Sequence, residues 1–224
     1  MKSLSSETYI VDGNITLFLG EHSEQFKKDV LHSSLLGNLL ADSTPGKWFT
    51  SYRTVLDKFY WALNGFKNYA LPKKSASLFS IASTALADAL QKEQLQQLGN
   101  ALSNIAQLPS EAPARKALLN RIQKEIATSH GEGSLTVSTL LTIVCENKKN
   151  ISLQMSFETT RPVDITFLRQ PLPETVMQGD IETSLWTTYL SEDKYAKIRN
   201  QVVGKLGSKP QTHLFQILEP APAY

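Results

Sequence analysis

Cysteine is almost absent from this chain: among 224 residues only Cys145 occurs. A single cysteine closes no intramolecular bridge and makes no metal site by itself, so the fold does not rest on disulfides. Cys145 alternates in step with Leu141 and Ile143 and has Glu146 rather than a base beside it, which reads as a small core residue and not as a nucleophile. An excess of charge is absent too. Lys and Arg number 23 against 21 for Asp and Glu, a net charge of +2, and nothing resembles the basic stripe that phosphate backbones require, so nucleic acid is not expected as a partner. No apolar run approaches the roughly 18 residues of a membrane helix. No signal-type apolar segment follows Lys2 before Asp12-Gly13 interrupts. The chain is therefore expected to be made soluble in a cytoplasm and to reach any outside target by separate release. His22, His32, His130 and His213 are scattered without ligand spacing, and Gly131-Glu132-Gly133 lacks the third glycine and the following helix of a phosphate cradle. No catalytic residue, metal or cofactor is expected, and the chain does not read as an enzyme.

What is present is a two-faced ribbon. Over 135–160, Leu135, Val137, Leu141, Ile143, Cys145, Ile151, Leu153, Met155 and Phe157 occupy odd positions, whereas Ser138, Thr142, Glu146, Ser152, Gln154, Ser156 and Glu158 fill most even ones. Period-two alternation places the two sets on opposite faces of a sheet. Asn147-Lys148-Lys149-Asn150 supplies the turn, so the stretch is predicted to be a β-hairpin with arms of roughly 10 residues, against about 5 or 6 for an ordinary strand. At about 3.3 Å per residue such arms, when tilted, reach across a bilayer's hydrocarbon core. Two readings stay open: the strands cover a helical layer in a protein that never inserts, or the hairpin is soluble first and enters a membrane later.

The composition, 41% hydrophobic and 20% charged, suits one sizeable core, and a single domain over 1–224 is expected. Residues 8–19 read as extended, either a small hairpin at Asp12-Gly13 or a bulged strand. A helix capped by Ser23 carries Phe26, Val30, Leu31, Leu35, Leu36 and Leu39 at helical spacing and stops before Ser43-Thr44-Pro45-Gly46. A second helix is predicted over 47–71, then helices over 75–90, 94–108 and 114–128. After the hairpin come a short strand over 163–169, a loop at Pro171 to Gly179, a strand over 180–190, a helix after Ser191 and a last strand over 212–218. Helices mostly within 23–129 followed by strands mostly within 133–219 give an α+β fold, a β-sheet with long antiparallel strands covered by layers of helical hairpins.

This order of elements resembles the cytolytic Cyt-type δ-endotoxins. The residues that carry the resemblance are TVSTLLTIVCEN at 136–147, ISLQMSFE at 151–158, SLWTTYLSEDKYAKIRNQVVGK at 184–205 and the helix pair flanking Thr44-Pro45-Gly46. The chain departs from that family in being shorter, in lacking an obvious N-terminal segment to be cleaved, and in Pro162 and the Pro171 to Pro173 loop among the strands. The resemblance implies a soluble protein that binds a lipid membrane, moves its helical layers aside and inserts its strands, with self-association through strand edges. Leu135, Val137, Leu141, Ile143, Cys145, Ile151, Leu153, Met155 and Phe157 would then face lipid, and Ser152, Gln154, Ser156 and Glu158 a pore. The alternative is a non-enzymatic virulence-associated or protein-interaction module of the same fold.

Overall fold

The structure is a computed structural model that describes residues 5–44, 48–124 and 135–218. In chain order the elements are β1 (Ser6–Val11), β2 (Asn14–Leu19), α1 (Glu24–Ala41), α2 (Trp48–Lys58), β3 (Trp61–Leu71), α3 (Leu78–Ala85), α4 (Lys92–Ala106), α5 (Pro113–Lys124), β4 (Leu135–Val144), β5 (Lys149–Thr159), a 3₁₀ turn (Ile165–Leu168), β6 (Met177–Leu190), α6 (Glu192–Ala196), α7 (Arg199–Leu206), α8 (Pro210–His213) and β7 (Leu214–Ile217). The fold is α+β, as the sequence pattern predicts. Seven strands form one sheet in the order β3-β6-β5-β4-β2-β1-β7. Neighbours are antiparallel except β2 and β4, which run parallel and are joined by the long crossover that contains α1 to α5.

Local chemistry explains most boundaries. Asp12 (φ 48°) and Gly13 (φ 82°) both take left-handed backbone, which settles the first extended stretch as a two-residue hairpin. Ser23 caps α1 by accepting from the Phe26 N–H at 3.3 Å. Ser77 and Ser80 cap α3 reciprocally, each side chain accepting from the other's backbone N–H, at 3.1 and 2.9 Å.

Helices lie on both faces of the sheet, each sealing its own apolar core. One core joins the odd positions of β4 and β5 to Leu78 and Ile81 of α3, Leu98, Leu102 and Ile105 of α4, and Leu118 and Ile122 of α5. The other joins Leu140 and Val144 of β4 and Trp186 of β6 to Phe26, Val30 and Leu35 of α1, Tyr52 and Leu56 of α2, and Val202 and Leu206 of α7. The long central strands are thus buried twice over.

Several elements differ from the sequence reading. The helix predicted over 47–71 ends at Lys58, and Trp61–Leu71 is instead the edge strand β3. Tyr60 turns the chain with φ 64°, and Asn64, Gly65 and Asn68 favour helix too weakly to compete with the edge that β6 offers. The strand predicted over 163–169 is the 3₁₀ turn, because Asp164 accepts from the Thr166 N–H at 3.0 Å and closes a local turn. The helix predicted over 75–90 shortens to α3, and the one after Ser191 divides into α6 and α7. The last strand is β7 alone, preceded by the single helical turn α8. The turn at Pro45-Gly46, His130, and the Gly131-Glu132-Gly133 switch lie outside the described residues.

Candidate functional site

The predicted hairpin forms. β4 and β5 pair in continuous register from Leu135 opposite Thr159 to Val144 opposite Asn150. The turn closes through Cys145 and Lys149, whose N–H and carbonyl meet at 2.8 Å, with Lys148 at φ 61° and the Asn147 side chain accepting from the Lys149 N–H at 3.2 Å. From the turn, Lys148 Nζ reaches Glu192 at 2.6 Å and ties the hairpin tip to α6.

Every odd-position residue named from the sequence lies on one face. Val137, Leu141, Ile143, Cys145, Ile151, Leu153, Met155 and Phe157 are buried against α3, α4, α5 and the 3₁₀ turn, and Leu135, at the start of β4, is half-buried. Phe157 meets Phe167 of the 3₁₀ turn with ring centroids 5.4 Å apart. The even face is drier than alternation suggests. Ser152 is buried, and its hydroxyl shares a 3.0 Å hydrogen bond with Thr142. Gln154 donates to the Ser138 hydroxyl at 3.2 Å and, like Ser156 and Glu158, is half-buried. Only a hydrogen-bonded hydroxyl pair makes this burial tolerable. The alternation reading missed Leu140 and Val144, which are buried on the even face under α1; the doublets Leu140-Leu141 and Ile143-Val144 were the signal that both sides of β4 are covered.

The two covers differ chemically. α1 brings polar groups into its interface: Asp29 takes a bidentate contact from Arg199 at 2.8 and 2.7 Å, Ser33 accepts from Trp61 Nε1 at 3.1 Å, and Asn38 joins Asn14 at 2.9 Å and the Val11 carbonyl at 3.1 Å. α3 and α4 bury Leu78, Ile81, Ala82, Leu98, Gly99, Ala101, Leu102 and Ile105, all without polar side chains. α5 adds Arg121, which pairs with Asp42 at 2.6 Å and lies over the Trp48 ring. Directional bonds hold one cover, and largely non-directional burial holds the other.

Among the described residues no cluster of three or more His, Cys, Asp or Glu is placed to hold a metal, and no helix is long and apolar enough to cross a membrane. No protein-family pattern matches the chain, and no curated protein matches its sequence. Among solved structures the chain is similar to the Evf virulence factor, at 10% identity over 84% of this chain and 77% of that one, with a TM-score of 0.37. It is similar to the activated Cyt2Ba monomer from Bacillus thuringiensis subsp. israelensis, at 11% identity over 80% of this chain and 98% of that one, with a TM-score of 0.36. It is also similar to a δ-endotoxin, at 13% identity over 80% of this chain and 82% of that one, with a TM-score of 0.37.

Proposed function

We propose that this chain is a membrane-active, toxin-like protein whose β4–β5 hairpin exchanges its α3–α4 cover for lipid. The observation that carries the reading is the pairing of an uncharged, largely apolar strand face, Val137 to Phe157, with a helical cover whose fully buried residues are all apolar. Lipid chains replace the apolar contacts of such a cover, and among the described residues only the side-chain bonds of Ser6 to Gln97 and of Tyr69 to the Ala85 carbonyl, both at its half-buried margin, are given up. The opposite cover, with Asp29, Ser33 and Asn38 inside it, would leave polar groups unsatisfied if it left. The helices α3 and α4 are therefore the ones that swing away; Ser152 stays under the α1 side, and the half-buried Gln154, Ser156 and Glu158 are the residues that meet water in the inserted state. The role requires no catalysis. A soluble ribbon becomes a membrane strand only when its backbone groups stay paired, so several hairpins must close together.

The test is release of an entrapped dye from vesicles at about micromolar protein, run across neutral and anionic lipids and from about pH 5 to about pH 8. Leakage that is lost when α4 is tethered to β5 by an engineered disulfide supports the reading; vesicles that stay intact in every mixture overturn it.

A second reading, a protein-interaction module that keeps its fold, is favoured by one observation: the even face of the hairpin is buried and internally bonded through Thr142 and Ser152. Capture of a specific partner together with inert vesicles decides for it.

A further inference from the structure

The two edges of the sheet are unequal. β7 closes one side with four residues, whereas β3 closes the other with eleven, eight of them exposed, and among the described strands pairs with β6 alone. A strand edge presents alternate N–H and C=O groups that need partners, and lipid supplies none. Short length protects β7. β3 has a register irregularity between Leu63 and Gly65 and one charged residue, Lys67, but residues 65–71 run uninterrupted opposite β6 from Thr187 to Ile181. Beside this run the side chains of Leu63 and Phe66 are 55% and 39% exposed.

We propose that β3 pairs antiparallel with β3 of a second copy about a two-fold axis at Asn68, joining two sheets into one. A two-fold contact must be self-complementary, and residues 65–71 are. Phe66 falls opposite Ala70, Gly65 opposite Leu71, and Asn68 opposite itself. The Asn68 Oδ1 accepts from Ser184 Oγ at 2.7 Å on its own sheet, so at the axis Asn68 offers a small uncharged side chain that sets no charge against its copy. The charges are complementary in the same register. Lys67, the only ion in the run, falls opposite the Tyr69 ring, a cation on an aromatic face, while an in-register parallel pair would set Lys67 against Lys67. Tyr69 is fixed for this by its hydroxyl, which donates to the Ala85 carbonyl at 3.3 Å. A ladder of this size is smaller than the roughly 800 Å² per partner of a tight complex, so association falls in the micromolar range.

The inference is independent of the membrane reading: inert vesicles would remove that reading and leave the dimer untouched. Sedimentation equilibrium of the full chain from about 1 to about 100 μM tests it. The expected mass rises from 24.9 kDa toward twice that value. Asn68→Lys and Asn68→Asp, exposed changes that retain the far-UV spectrum and melting temperature, each weaken association at least about tenfold, and an equimolar mixture of the two restores it. In parallel, Asn68→Cys forms a covalent dimer under mild oxidation, since Cys145 is buried. A wild-type chain that remains monomeric at about 100 μM overturns the proposal. So does a Lys/Asp mixture no stronger than its components, or a β3 that becomes protected only when vesicles are added.

Discussion

Two single residues carry more of the fold than their size suggests. Gly13 takes φ 82°, and a Cβ added there would stand 2.3 Å from Arg121 Cβ and 2.5 Å from the Ala117 carbonyl oxygen. The β1–β2 turn and α5 therefore touch where only a glycine fits, and Gly13→Ala is expected to lower stability by about 2 kcal/mol in urea unfolding. A change within experimental error would mean that α5 shifts freely. His22 is the second. Burial beside Phe18 and Phe26 depresses its basicity below the ordinary value of 6.5, outweighing the hydrogen bond to the Leu19 carbonyl and the nearby Val144 carbonyl that favour its charged form. Burial lowers His32 in the same way. A base with a depressed folded-state pKa keeps its full contribution above its unfolded value and loses it as pH falls below that value. Melting temperature is thus expected to drop between about pH 7 and about pH 5, and His22→Gln to make the drop smaller. An identical pH profile for the variant would remove His22 from the account.

At the scale of elements, α1 is joined to α7 by Asp29 and Arg199. Asp29 is 2% exposed in its side chain and Arg199 30%, so the carboxylate, not the guanidinium, is the buried charge. Arg199→Met leaves that carboxylate without its bidentate partner and is expected to cost about 3 kcal/mol, the scale of a broken buried pair. Replacing both, as Asp29→Leu with Arg199→Met, is expected to recover most of it. A double variant no more stable than the single one would show that Asp29 matters for packing rather than charge. β3 teaches the complementary lesson. Trp61, Leu63 and Phe66 continue the apolar spacing of α2, and that spacing predicts one long helix. The chain turns at Tyr60 instead, the Ser191 N–H bonds the Tyr60 carbonyl at 3.0 Å, and the strand completes the edge of β6. A neighbour more than 100 residues away decided that element, and no local pattern contains it.

For the whole molecule, the three-layer arrangement orders the opening events. β4, β5 and β6 lie inside the sheet with helices on both faces, so their amides are expected to exchange slowest. If the α3–α4 cover is the releasable one, its amides exchange before those of α1 and α7 in native-state hydrogen exchange. The reverse order, with α1 opening first, would sink the proposed route to the membrane while leaving the fold as described.

The alternation over 135–160 determined by itself that a long hairpin forms and which residues share each face, because a period of two allows only one division of the side chains. The Ser23 cap, the Asp12-Gly13 turn and the helical spacing of α1, α4 and α5 were likewise local and legible. The doublets on β4 hinted at a second cover, but only the folded chain placed α1 over Leu140 and Val144 and thereby dried Ser152. Tertiary structure also made β3 a strand, gave Arg199 to Asp29, and left one edge of the sheet long and, among the described residues, unpaired. These outcomes depend on which distant surface offers unsatisfied hydrogen bonds or uncovered apolar area, and that information belongs to the assembled chain and not to any window of it.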